Sequence, residues 1–361
     1  MIEKPQFLFV TCQIGAEIAL KKEIARGHPE LRPAFARPGF VTFKFPSGTS
    51  AGPGFRLRTT FAHAWGFTAG KVDLRGVQPD EACRHFWHLL GDVPVTQLHV
   101  WPRAGDLPGT EDCDLSWPEQ IDELHRTLLG AAPAGLRGKD VSTAVADSTA
   151  APNGAWVADC VLVEPSLWWV GYHRVDAFHD AFAGGRPPLV LPPDAVSRAW
   201  LKMEEALRWS NPPCRAGTVW AELGSAPGGA AQALLARGFQ VLGVDPAEMH
   251  PNVLAHPCFR HLRQRTNQAS RKEFRKVRWL AADLNVAPNY TLQAVESLVT
   301  HPQLKIKGLL LTIKLIRWTL AERLPDYLAR VRSWGYNRVQ LRQLWHNRQE
   351  CCIAAWRDSK S

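Results

Sequence analysis

Residues 218–229 read Thr218-Val219-Trp220-Ala221-Glu222-Leu223-Gly224-Ser225-Ala226-Pro227-Gly228-Gly229. The first six are apolar enough for a buried strand, and the glycine-rich turn that follows opens a helical stretch, Ala230 to Arg237, which Gly238 stops. Gly224 lets the chain leave the strand with φ > 0, while Gly228 and Gly229 carry no Cβ and so leave room for a ligand to approach the backbone. The next strand, Gln240 to Val244, ends at Asp245, about 20 residues after the turn, where a carboxylate accepts hydrogen bonds from ribose hydroxyls. Strand, G-x-x-P-G-G, helix, strand and acid in that order point to a nucleoside-bearing cofactor at the carboxyl ends of a parallel sheet. The turn is not G-x-x-x-x-G-K-[ST], which argues against a nucleoside triphosphate, and it lacks G-x-G-x-x-G, which argues against NAD.

The sequence around this core alternates strand and helix. A helix from about Ala195 to Trp209, capped by Asp194, precedes it. Strands are expected near 259–263, 277–282 and 308–315, with helices near 290–300 and 319–333. A final pair of strands, about 338–345 and 351–356, flanks a tight connection around His346–Glu350. The expected fold is α/β, a Rossmann-like seven-stranded sheet with an antiparallel terminal hairpin. That form of sheet, with a Pro-Gly-Gly turn, suits S-adenosylmethionine.

A chain of 361 residues predicts two domains. Gly184-Gly185-Arg186-Pro187-Pro188 and Pro192-Pro193 mark a linker at 184–193, between an N-terminal α+β region (1–183) and a cofactor-binding domain (194–361). Residues 1–189 hold 18 Lys+Arg and 21 Asp+Glu, a net of −3; residues 190–361 hold 25 and 13, a net of +12. The excess over the whole chain is +9, a reason to look for a nucleic-acid partner on the C-terminal half. The eight cysteines form no C-x-x-C, so neither a disulfide framework nor a metal site is expected, and the composition fits a reduced, cytoplasmic setting. The N-terminus lacks a signal peptide's pattern, and no uncharged apolar run is long enough for a membrane helix. Oligomeric state is not legible.

Four charged residues stand at the ends of expected elements or inside apolar ones: Lys202 mid-helix, Asp283 after Trp279–Ala282, Lys314 inside Leu309–Leu315, and Glu350 before Cys351-Cys352-Ile353. A charge in an apolar strand is costly unless paired. Together they resemble the Lys-Asp-Lys-Glu tetrad of the RrmJ/FtsJ-like and fibrillarin-like 2'-O-ribose methyltransferases. Pro193 to Ala206, Leu223 to Gly229, Val244-Asp245, Ala282-Asp283, Ile313-Lys314-Leu315 and His346-Asn347-Arg348-Gln349-Glu350 are similar, in order, to the catalytic domain of the ribosomal RNA large subunit methyltransferase M family. The resemblance implies S-adenosylmethionine as cofactor, held by Gly224, Ser225, Ala226, Pro227, Gly228, Gly229, Asp245 and Asp283. It implies a 2'-hydroxyl of a cytidine in 23S ribosomal RNA as target, Lys314 as the base, and no membrane partner. It also implies a THUMP-like N-terminal region, carried loosely by Phe7 to Glu17 and Phe55 to Thr59.

The sequence departs from that family in two places. Residues 261–267 (His-Leu-Arg-Gln-Arg-Thr-Asn) hold no acid where one usually lies near the adenine, leaving Gln264 or Asn267 for the purpose, and Ala199 stands where serine is common. Asn211-Pro212-Pro213-Cys214 is similar to the loop of base-nitrogen methyltransferases, but it lacks the stacking aromatic and precedes the glycine turn, so it reads as a helix terminator. Arg260, Arg263, Arg265, Arg271, Lys272, Arg275, Lys276 and Arg278 form the densest basic run. Of these, Arg263, Arg265, Arg271, Lys272, Arg275 and Lys276 are the expected RNA phosphate contacts. The N-terminal half is less informative. It carries an acidic stretch, Asp106 to Glu123, and aromatics such as Trp65, Phe86, Trp87 and Trp101 that read as core. Two other readings remain: a ribose methyltransferase acting on a different RNA, and a non-catalytic RNA- or ribosome-binding relative.

Overall fold

The computed structural model describes residues 5–48, 54–103, 119–133 and 150–358. The chain divides into two units, Met1–Pro188 and Leu189–Ser361. Much of the acidic stretch, Asp106 to Asp114, lies outside the described residues.

The first unit runs β1 (Phe7–Thr11), α1 (Glu17–Gly27), β2 (Arg32–Arg37), β3 (Phe40–Lys44), β4 (Ala64–Asp73), α2 (Pro79–Leu90), β5 (Gln97–Pro102), α3 (Glu119–Gly130), β6 (Trp156–Glu164) and β7 (Leu167–Arg174). One sheet of order β2-β3-β1-β4-β7-β6-β5 results, antiparallel except where β5 lies beside β6. This is the expected α+β class. Phe7 to Glu17 supplies β1 and the start of α1, whereas Phe55 to Thr59 runs outside any strand or helix. Phe9 sits at the centre of the sheet. Its ring fills the space left by Gly66 and Gly171, where a Cβ would come within 2.8 Å and 2.5 Å of it. Phe86, Trp87 and Trp101 are core residues as read, while Trp65 is half-buried.

A charged cluster lies inside this unit. Asp159, on β6, accepts from Trp101 Nε1 at 3.3 Å and pairs with His173 Nδ1 at 2.6 Å. Burial alone would lower the His173 pKa, but Asp159 outweighs it and lifts the group to about 9. His99, whose ring lies 5.8 Å from that of His173, is pushed down to about 3 by burial. The unfolded chain protonates both near the ordinary value of 6.5. His99 therefore withdraws stability as pH falls below 6.5, because the unfolded state binds a proton that the folded state refuses. The His173 contribution is complete below 6.5 and is lost as pH rises towards 9. Thermal unfolding of this unit should accordingly peak near neutral pH, and His99→Leu should flatten the acid side. Calorimetry from pH 5 to 9 checks both, and a level transition temperature would reject the account.

The second unit runs α4 (Ala199–Ser210), β8 (Val219–Leu223), α5 (Gly229–Ala236), β9 (Gln240–Val244), α6 (Pro251–Leu254), β10 (Phe259–Leu262), β11 (Trp279–Ala282), α7 (Pro288–Val299), β12 (Gly308–Lys314), α8 (Leu324–Ser333), β13 (Arg338–Arg342) and β14 (Glu350–Trp356). The sheet order is β10-β9-β8-β11-β12-β14-β13. The first five are parallel, and β14 runs antiparallel between β12 and β13, giving the expected seven-stranded form. Trp220 and Trp279 stack at 5.0 Å in the core, with Phe239 against Trp220 at 5.5 Å.

The expected helix start at Asp194 is corrected. Helix α4 begins at Ala199, with Arg198 at its N-cap and no capping side chain. The preceding segment is tied to α5 instead: Val196 N donates to Gln232 Oε1 at 2.8 Å, and Gln232 Nε2 donates to the Asp194 carbonyl at 3.0 Å. Tertiary bonds from one glutamine replace the local cap. At the other end Asn211 adopts φ +42°, a left-handed cap, and donates its N–H to Leu207 O; the two prolines then end the helix as read.

Candidate active site

The four charged residues converge. Lys202 comes from the second turn of α4, Asp283 directly follows β11, Lys314 ends β12, and Glu350 begins β14. Lys314 and Glu350 are cross-strand partners in the β12–β14 register. Lys202 Nζ lies 3.1 Å from Asp283 Oδ2 and 2.7 Å from Glu350 Oε1. Lys314 Nζ lies 2.9 Å from Asp283 Oδ1 and 2.5 Å from Glu350 Oε2. Each lysine thus touches both carboxylates, and the four close into a ring of alternating sign.

Glu350 is buried, whereas the other three side chains are 19–24% exposed, so the ring has one face to solvent. Burial alone would lower the Lys314 pKa, but Asp283 and Glu350 together raise it above the ordinary 10.5. Burial works to raise Asp283, and the two lysines overcome it and hold this acid below 3.8. At rest Lys314 is an ammonium, because the two carboxylates outweigh burial.

Two residues position the ring that sequence reading gave no role. Glu205, fully buried, accepts from Trp345 N at 2.8 Å, His346 N at 2.9 Å and His346 Nδ1 at 2.8 Å. It anchors the connection that delivers Glu350. Asn347 donates Nδ2 to Glu350 Oε1 at 3.3 Å while its Oδ1 accepts from Leu344 N at 2.9 Å. The available signal was spacing, since Glu205 lies one helical turn from Leu201 on the same face and so falls on the buried stripe.

The glycine turn is joined to this ring. Asp283 N donates to Leu223 O at 3.1 Å, and a Cβ on Gly224 (φ +79°) would meet Asp283 O at 2.8 Å. At Gly228 and Gly229 the chain itself fills the space a Cβ would need. A Cβ on Gly228 would strike Val253 Cγ2 at 2.7 Å, and one on Gly229 would overlap Ser197 Oγ. Gly229→Ala should therefore cost about 1–3 kcal/mol by overpacking and displace the entry to α4; a denaturation midpoint equal to that of the native chain would refute this. Ser225 is buried and donates its hydroxyl to Glu222 Oε2 at 2.7 Å. Burial keeps Glu222 protonated, with its pKa raised to about 8.

Beyond Gly224 lies a cavity of about 440 Å³ lined by Asp245, Gln264, Asn267, Arg271, Leu284 and Tyr290, among others. Asp245 Oδ2 accepts from Ala226 N at 3.2 Å and Oδ1 from Ala247 N at 2.8 Å. A carboxylate has about four acceptor positions, so it retains capacity for two ribose hydroxyls. The volume falls in the range of small-molecule sites, roughly 300–1,000 Å³. The donor set and the space fit a nucleoside. No acid stands at 261–267, and Gln264 and Asn267 line the cavity.

The basic run does not form one ridge. Arg263 pairs with Glu248 at 3.0 Å, and Arg260 with Glu273 at 2.6 Å. Arg271 is half-buried, donates to Ser297 Oγ at 3.2 Å and lines the cavity beside Gly224 together with Arg265. Arg275 donates to Gln303 Oε1 at 3.4 Å, while Lys272 and Lys276 are exposed. No described helix is long and apolar enough to cross a membrane, and the described residues hold no metal-ligating cluster.

The second unit is similar to methyltransferases. The FtsJ-like methyltransferase family model matches residues 195–317, which include the glycine turn, Lys202, Asp245, Asp283 and Lys314 but not Glu350. More narrowly, the chain is similar to proteins named ribosomal RNA large subunit methyltransferase M. The protein of that name from Haemophilus influenzae (strain 86-028NP) is 32% identical over 136 residues, covering 36% of this chain and 37% of the relative. The one from strain PittEE is 27% identical over 258 residues, 61% of this chain and 69% of the relative. The match thus spans little more than a third of the first of these relatives. Among solved structures, a chain of a fibrillarin/Nop5p complex aligns over 44% of this chain and 82% of its own, at 14% identity and a TM-score of 0.34.

Proposed function

We propose that this protein transfers a methyl group from S-adenosylmethionine to a ribose 2'-hydroxyl of RNA, a cytidine of 23S ribosomal RNA being the target that the sequence resemblance implies. The observation that carries this reading is the closed ring of Lys202, Asp283, Lys314 and Glu350 beside the glycine turn. The bound cofactor would supply an electrophilic methyl group on a sulfonium centre. Gly224 and Asp245, with Gln264 and Asn267, would hold its nucleoside part.

A ribose hydroxyl is a weak nucleophile at neutral pH and must lose its proton as the new C–O bond forms. Neutral Lys314 takes that proton at Nζ. Asp283 and Glu350 hold the amine in place and stabilise the ammonium that results, and Lys202 neutralises the second carboxylate charge. Placement of the hydroxyl by the ring supplies the rest of the acceleration, because the cofactor's positive charge fades during transfer and no oxyanion accumulates. The N-terminal unit, THUMP-like in this reading, binds or positions the RNA, and the protein works in the cytoplasm. Mapping 2'-O-methylated positions in total RNA with and without the gene tests the proposal. One missing methyl in 23S RNA is the expected result, a missing methyl in another RNA redirects the target, and an unchanged map defeats the activity.

A further inference from the structure

The N-terminal half has a net charge of −3, which conceals a local arrangement of the opposite kind. A cavity of about 860 Å³ lies against its sheet, walled by Phe7, Phe35, Thr68, Lys71, Trp169 and the carboxyl end of α2. Phe35 and Trp169 stack with centroids 5.3 Å apart and planes 25° from parallel. Lys71 Nζ sits 5.3 Å from the Phe35 ring and 4.6 Å from that of Trp169. Lys44 Nζ lies 5.8 Å from the ring of Phe7. Lys44 and Lys71 are exposed, and among the described residues neither is ion-paired to a carboxylate. Arg37, 4.5 Å from Phe35, is different, because Glu164 neutralises it at 2.6 Å.

The walls are also firm. Trp169 Nε1 donates to Thr68 Oγ1 at 3.0 Å, and Phe35 N donates to Thr42 Oγ1 at 3.1 Å. On the α2 side, Gly70 lets Leu89 rest on β4, since a Cβ there would meet Leu89 Cδ2 at 2.7 Å. The cavity has a polarity. Uncommitted ammonium groups stand over aromatic rings on one side. On the other, the end of α2 presents the negative pole of a helix of twelve residues, beside Asp92.

An apolar ligand has no use for the cations, and an acidic peptide has none for the stacked rings. An unpaired nucleotide uses both, stacking its base on an aromatic face and placing its phosphate against an ammonium. The exocyclic amino groups of a base suit the electronegative end of a helix. We infer that this cavity binds unpaired nucleotides of single-stranded RNA, with Phe35 as stacking platform and Lys71 as phosphate contact. This deepens the proposal that the chain acts on RNA and rests on it.

The test measures fluorescence anisotropy of a short labelled single-stranded RNA, and of the same sequence as a duplex, with the full chain. Phe35→Ala should weaken single-strand binding about 5- to 100-fold, the range of one lost stacking contact. Lys71→Gln, at an exposed position that the fold does not need, should weaken it as well and lower the slope of log affinity against log salt by about 0.7. Duplex affinity and the affinity for S-adenosylhomocysteine should stay within twofold in both variants. Single-strand binding that survives both substitutions together overturns the pocket and leaves the enzyme reading standing. Absence of any RNA binding by the native chain overturns both.

Discussion

Lys314→Ala should lower methyl transfer by at least a thousandfold while leaving the affinity for S-adenosylhomocysteine within about threefold. General-base catalysis contributes about 10²–10⁴, and here the same side chain also orients the hydroxyl. The fold should tolerate the loss. Asp283 and Glu350 keep Lys202 as a partner, at 3.1 Å and 2.7 Å, so the buried Glu350 carboxylate is not stranded. Lys314→Arg separates the two roles of the residue. An arginine retains the positive charge between the carboxylates but never deprotonates in this range. If Lys314 only balanced charge, the arginine variant would work. As base it must be neutral, so Lys314→Arg should be as inactive as Lys314→Ala. Calorimetry of the cofactor product and single-turnover methylation of RNA measure the two quantities. More than a tenth of native turnover in either variant removes Lys314 from the base position.

Lys314 was legible in the sequence because it interrupts an apolar strand, where an unpaired charge is too costly to be incidental. Glu350 was not legible in that way. Its role depends on β14 inserting between β12 and β13 and on a register that sets it opposite Lys314, both non-local facts. Its place at the start of an apolar strand drew attention to it, and only similarity to known motifs gave it a role. One expectation failed because a local rule met a tertiary partner. Asp194 has the chemistry of a cap, but Gln232 holds its segment away from the helix. Gly228 and Gly229 have a second reason to be glycine that no local rule shows, since Val253 and Ser197 fill the space a Cβ would need. Arg271 counted as one more positive charge in a basic run, and burial against Ser297 sets it apart from its neighbours. In the N-terminal unit, strand β1 was visible as an apolar run. The stacking of Phe35 on Trp169 joins residues more than a hundred positions apart, and no spacing in the sequence announces it.

The resting charge of Lys314 sets how the reaction should respond to pH. Asp283 and Glu350 hold its pKa above 10.5, so at neutral pH only a small fraction is the neutral amine that accepts a proton. Below that pKa the neutral fraction grows about tenfold per pH unit, and so should the rate of the chemical step. Phosphates of bound RNA push the pKa further up, whereas a sulfonium nearby pushes it down, so the limb reports the loaded complex. Removing one carboxylate weakens the hold on the ammonium. Glu350→Gln keeps the size of the side chain and abolishes its charge, and the rising limb should then move to lower pH by about one to three units. Its plateau should fall as well, because the 2.5 Å contact that fixes Lys314 Nζ is altered. The two effects point in opposite directions at low pH, which makes the profile more informative than a rate at one pH. Single-turnover rates from pH 6 to 10, with cofactor affinity followed in parallel, separate the limb from the plateau. A native rate that is level below pH 9, or a Glu350→Gln profile that falls without shifting, would mean that the proton leaves the hydroxyl by another route.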